Sequence, residues 1–389
     1  RGGGERGFAA RQAEGPGMKR MLPATLILAL AALACGGQVP ATPFPTPQGS
    51  VFDSGRTAHG FFPSPPEVSL QSIFRLYEDL ARHADFVLFQ HPIPWEDFAS
   101  GVDGDSQNRT DIRNQMTLAV QHDLEAVYVV DPLNGLNRRE FAGLPDGWEA
   151  GFANPNVRAA FTNYTLWIVR QFRPRYLGLA SEINTYMDAH PEDAANFVSL
   201  YHSVYALVKA EAPDTQIFVT FQWEDLNNLW EFAAEGRRAY ETNWDQVEIF
   251  EPNLDLWVIS SYPFVAFPSA ADIPADHYTP LLTRTSKPLA VAEGGFPSLA
   301  APPFPGDEQS QVDYLKAVHT QLGGDRLAFW VYLLLSDLNP DSYAKMMRQQ
   351  GSSEGDIQTL GLFTSVGLQA LDGSPKPALE VWDSFRNMP

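Results

Sequence analysis

Eight short apolar runs, most of them separated by longer stretches of helical periodicity, leave this chain few ways to fold. The runs are AHGFFP (58–63), DFVLFQ (85–90), EAVYVVD (125–131), YLGLASE (176–182), QIFVTFQ (216–222), LWVISSY (256–262), PLAVAE (288–293) and LAFWVYLL (327–334). Such nearly unbroken apolar runs read as strands buried on both faces, which parallel sheets require. Between them, Glu67–His83 gathers Ile73, Leu76, Tyr77 and Leu80 on one face. Asn154–Phe172 opens with Pro155 at a natural first-turn position and carries Phe161, Leu166, Ile168 and Val169 inward. Pro191–Ala212 aligns Phe197, Leu200, Val204, Leu207 and Val208. Asn108–His122, Leu226–Tyr240, Asp307–Leu322 and Pro375–Phe385 complete the helix candidates, and the sixth run is followed by a loop-like stretch with a short helix at best.

Strands alternating with helices imply parallel crossovers. An open doubly wound sheet would usually show a glycine-rich phosphate turn after its first strand; HGFFPSPP has prolines there. The expectation is therefore a single α/β domain, a (β/α)8 TIM barrel, over residues 51–389.

The residues before it carry a different message. Residues 1–17 precede Met18 and read as upstream sequence without fold content. Met18-Lys19-Arg20, the apolar Leu22–Ala34 and then Cys35 have the layout of an export signal, too short to be a comfortable membrane span. Ending on a cysteine after small residues, the segment 18–35 resembles a bacterial lipoprotein signal. That resemblance implies lipidation of Cys35, an anchor in the membrane, and export to the bacterial cell surface or periplasm. An ordinary signal peptide with an incidental cysteine is the alternative. Residues 36–50, rich in Pro, Gly, Thr and Ser, read as a tether. Cys35 is the only cysteine, so no internal disulfide forms. A formal net charge of −20 repels phosphate backbones and argues against nucleic acid as a partner.

The chemistry concentrates on two glutamates. Glu182 ends the fourth run and Glu293 the seventh. In a barrel, strand ends face the active site. A pair of carboxylates with apolar flanks can have their pKa values driven apart, one serving as acid and the other as nucleophile, as glycosidic cleavage requires. His59, His91, Asp131, Asn184, Gln222, Trp223, Glu224 and Tyr332 also fall at or near strand ends. A carbohydrate partner would use polar groups for hydroxyls and an aromatic face for its C–H face, with Trp330 and Trp223 as platforms; either tryptophan also reads as core. His91 equally reads as a satisfied core or loop histidine. The histidines show no HExxH spacing, and Asp103, Asp105, Asn108 and Asp111 lack the glycine and terminal glutamate of a calcium loop, so no metal site is expected.

Short segments then carry a resemblance: SEIN (181–184), SSYPF (260–264), VAEGGFPS (291–298), FWVY (329–332) and DGSPKPALEVWDSF (372–385). Together they resemble the clan A glycoside hydrolases, in particular the endo-β-1,4-galactanase and exo-β-glucanase-like families. The resemblance implies a retaining mechanism without cofactor. Glu182 would be the protonated acid/base and Glu293 the ionised nucleophile. Tyr262 would hydrogen-bond that nucleophile, and Trp330 would floor the first sugar subsite. Two departures are visible. Ser181 stands where the family has an asparagine that contacts the sugar. The second strand ends at Gln90-His91, without the arginine many members carry near the nucleophile. Two other readings stay open: a non-catalytic carbohydrate-binding lipoprotein, for which Ser181 speaks, and a cell-surface transglycosylase.

Overall fold

A computed structural model describes residues 50–230 and 237–388. The signal segment with Cys35, and nearly all of the tether, lie outside the described residues. The strands are β1 (Ala58–Phe62), β2 (Phe86–Pro92), β3 (Glu125–Asp131), β4 (Leu133–Asn134), β5 (Asn137–Phe141), β6 (Tyr176–Gly178), β7 (Gln216–Phe218), β8 (Thr220–Gln222), β9 (Trp257–Ser261), β10 (Leu289–Gly294) and β11 (Leu327–Leu334).

Nine of these form one parallel sheet in the order β7-β6-β3-β2-β1-β11-β10-β9-β8. The two ends of that order, β7 and β8, are halves of the fifth run, divided by Val219 alone. β7 pairs with β6 and β8 with β9. The chain itself thus joins the ends of the sheet, and nine segments occupy the eight positions of a TIM barrel. Every one of the eight runs supplies one position.

Aromatic rings fill the lower interior. Phe329 contacts Phe86, Tyr176 and Phe218 from across the barrel. Gly60 makes room for this layer, because a Cβ there would lie 2.6 Å from the Phe86 ring. Phe52, in the turn Val51–Asp53, closes the bottom by packing on Phe86 and Tyr176.

Helices cover the outside where the periodicity placed them: Leu70–His83, Gln107–Gln121, Pro155–Phe172, Pro191–Glu211, Glu308–Leu322 and Pro377–Arg386. Their starts are locally encoded. The side chains of Ser69, Ser106, Asn154 and Asp307 each accept a hydrogen bond from a first-turn amide.

Three features depart from expectation. The expected helix Leu226–Tyr240 is not seen over its described residues. Only Trp223–Leu226 is helical, residues 227–230 and 237–240 are irregular, and 231–236 lie outside the described residues. After β3 the chain turns back as a hairpin, β4 against β5. After β11, two helices, Pro340–Gln350 and Glu354–Gly361, precede the closing helix. The hairpin and the helix pair both border the mouth of the barrel.

Candidate active site

β6 ends at Gly178, and the chain continues through Ser181 to Glu182, whose backbone is left-handed at φ 50°. A non-glycine residue in that region carries strain of about 1–3 kcal/mol and persists only where neighbours enforce it. Here the Glu182 amide donates to Thr220 Oγ1 at 2.7 Å. Asn184 anchors the following helix, Ile183–Ala189. Its Oδ1 accepts from the Gln222 amide at 2.8 Å, and its Nδ2 lies 3.2 Å from both the Gln222 carbonyl and Asp225.

Glu293 stands on β10 where the register against β9 slips between Val291 and Glu293. Such an irregularity re-aims a side chain. Its Oε1 accepts from the Tyr262 hydroxyl at 2.9 Å, the contact the family resemblance implied. Tyr262 is itself fixed from behind. Its amide donates to Glu224, whose carboxylate also accepts from Ser261 and Gln222.

Between the two glutamates lies Arg138, on β5 of the hairpin. Its guanidinium donates to Glu182 Oε2 at 3.0 Å, to Asp131 Oδ2 at 2.5 Å and to Ser181 Oγ at 3.3 Å, and it lies 3.8 Å from Glu293 Oε2. Glu182 Oε1 accepts from Ser260, and Asp131 from Gln90 Nε2. All four charged groups are at most 8% exposed. Burial works against the charge of Arg138, but Asp131, Glu182 and Glu293 outweigh it and raise its pKa. Burial pushes Asp131 up, against the pull of Arg138. Glu293 is pushed up to about 8, first by burial and then by the charge of Glu182; Arg138 and Tyr262 oppose this without prevailing. The Tyr262 hydrogen bond is present, but in this arrangement it does not hold Glu293 within the ordinary carboxylate range. Two donors serve Glu182, from Arg138 and Ser260, against one close donor on Glu293.

Other expected site residues are placed elsewhere. Ser181 is beside the pair, but it faces Arg138 and Thr220. Trp330 packs in the layer between barrel and helices, against Trp382, Phe385 and His59. His59 lies in the same layer, with Nδ1 on the Thr57 carbonyl. Trp223 is buried against Trp244 and donates to the His277 carbonyl. His91 borders the mouth, with both ring nitrogens engaged, by Tyr128 and Gln115. Tyr332 bonds to the Phe296 carbonyl.

Arg138 is the functional candidate that sequence reasoning missed. The signal that could have found its hairpin is Asn134-Gly135, a turn dipeptide between the segments that pair. The Asn134 side chain accepts from the Leu136 amide and sets that turn. Beside Glu293, Tyr262 and Arg138 opens a cavity with about 910 Å³ of unfilled space, its mouth included. Among the described residues, no group of three His, Cys, Asp or Glu side chains is arranged to hold a metal ion.

No family model and no curated protein sequence matches the chain. Solved structures do share its architecture. An exo-β-1,4-mannosidase from an Opitutaceae bacterium superposes with a TM-score of 0.60 at 13% identity, over 85% of this chain and 59% of that one. A GH5_18 protein from Bifidobacterium longum subsp. infantis gives 0.60 at 15%, over 86% and 80% of the two chains. A family 39 glycoside hydrolase from Bacteroides cellulosilyticus gives 0.51 at 14%, over 86% and 64%. The chain thus spans less than two thirds of the length of both the mannosidase and the family 39 protein. The fold is the one shared by these clan A glycoside hydrolases.

Proposed function

We propose that this barrel is a retaining glycoside hydrolase in which Glu182 and Glu293 act as the two carboxylates. The observation that carries the reading is their juxtaposition. Two buried glutamates from the fourth and seventh barrel positions meet one guanidinium at the end where barrel enzymes keep their chemistry. In the first step, Glu293 attacks the anomeric carbon while Glu182 protonates the departing oxygen. A glycosyl ester forms on Glu293, and the leaving group departs as an alcohol. In the second step, Glu182 takes a proton from water, which attacks the same carbon and frees Glu293.

This sequence needs the proton on Glu182 and the charge on Glu293. Burial and the charge of Glu182 raise Glu293 here, and the Arg138 guanidinium lies 3.8 Å from it. A shift of the guanidinium toward Glu293 as substrate enters would favour the charged nucleophile. The chain would act outside the cell, held to the membrane by a lipid on Cys35; loss of membrane association in Cys35→Ser would support that part.

The test is covalent. Activated 2-fluoro glycosides of several sugars should give a mass adduct that maps to Glu293. A label on another residue, or cleavage with inversion at the anomeric carbon, would sink the assignment. One observation favours a second reading, a carbohydrate-binding protein without turnover. Arg138 lies where a substrate would separate the glutamates, and saccharide binding without any adduct would select that reading.

A further inference from the structure

The cavity beside Glu293 is not built like a subsite for a free sugar. Five of its wall residues, Phe62, Leu136, Leu333, Met346 and Phe363, are only half-buried, and they border the cavity with apolar surface. Fully buried Leu338 joins them. Several polar groups of the wall already have partners. His91 uses both ring nitrogens, Gln115 gives its oxygen to His91, and Gln90 gives its amide to Asp131. A sugar hydroxyl there would exchange water for aliphatic carbon and find few partners. The charged side chains of its wall, Glu293 and Arg138, stand together beside Tyr262.

Much of this wall comes from an added segment. Leu338, Met346 and Phe363 belong to the stretch holding the helices Pro340–Gln350 and Glu354–Gly361, between the last strand and the closing helix. Tyr343 ties that stretch to the loop after β1 through the Pro65 carbonyl, and the Asn339 amide donates to the Pro66 carbonyl. The wall is therefore a fixed part of the molecule.

We propose that this cavity binds the apolar part of an amphipathic glycoside, an alkyl or acyl chain, whose sugar end meets the glutamates. The inference rests on the glycosidase reading for the orientation of that sugar end. The cavity's apolar character stands without it. Continuity with the carboxylates selects the occupant, since a chain lying in the cavity has its polar terminus at Glu293.

The test uses the described domain with butyl, hexyl and octyl β-glucosides, galactosides and mannosides, kept below their micelle concentrations. Calorimetry measures binding and product analysis measures cleavage. The expected result is an affinity for at least one sugar that rises roughly fourfold per added methylene. In Met346→Lys and Leu333→Gln, this chain-length dependence should flatten while the melting temperature stays near that of the parent chain. Equal affinity for all chain lengths, or tighter binding of the corresponding oligosaccharides, would overturn the proposal. Chain-length-dependent binding without cleavage would retain the apolar site and reject the glycosidase. Cleavage of oligosaccharides with no chain-length dependence would do the opposite.

Discussion

Arg138 organises the charge of the site. Three buried carboxylates, Asp131, Glu182 and Glu293, face one guanidinium. Removing a single partner from such a cluster leaves charge buried without compensation, at a cost of about 3–5 kcal/mol. Arg138→Met should therefore lower stability by about that much in urea unfolding near neutral pH, with less effect in acid, where the carboxyls are neutral. A second consequence follows from Glu293. Its carboxyl is raised from 4.5 to about 8, so the folded protein holds a proton there that the unfolded chain has released. Stability then falls as pH rises through the window from about 4.5 to about 8, and this contribution levels off above it. Glu293→Gln cannot release that proton, so its unfolding midpoint should lose this part of the slope. An unchanged slope in the variant would show that Glu293 is ionised throughout. None of this was legible in the sequence. An arginine in a polar stretch after a strand reads as solvated, and nothing local says that it turns back over the barrel. Tyr262 and the two glutamates were legible because each ends an apolar run.

At the level of elements, the short helix Ile183–Ala189 keeps Glu182 in its left-handed conformation, and Asn184 ties that helix to β8. Asn184→Ala would leave the buried Gln222 amide and Asp225 short of a partner, each worth about 1–3 kcal/mol. The expected outcome is a lower unfolding midpoint together with a reduced kcat, since Glu182 moves with the helix. A stability loss with kcat intact would confine Asn184 to a structural part. The fate of Trp330 makes the same point about strands. Successive residues of a strand face opposite sides, and runs apolar on both faces do not say which side is the lumen. Phe329 points into the barrel and Trp330 into the helical layer. Sequence could find β11, but it could not find its parity. The helix Pro340–Gln350 was missed for another reason. Its surface is polar, although Asn339 caps it and Gly351 ends it in the left-handed conformation, both signals a sequence can show.

Over the whole molecule, the eight runs were legible because each position of a closed parallel barrel needs one strand buried on both faces. The closure at the bottom was less so. Phe52 packs on Phe86 and Tyr176, while Ser50 and the Val51 amide bond to Glu125 at the start of β3. Phe52→Ala should lower stability by about 2 kcal/mol, less than a fully buried phenylalanine, because the ring is half-buried. Thermal melting would check this, and an unchanged midpoint would mean that the barrel floor seals without it. The break at Val219 has a consequence of another kind. It is where the ring of strands closes on itself, and it divides the chemistry as well as the chain. A polypeptide severed between Phe218 and Thr220 would hold Glu182 on one fragment and Glu293 on the other. On the proposed two-glutamate reading neither fragment could turn over substrate alone, so recovered turnover would report that the two had found each other.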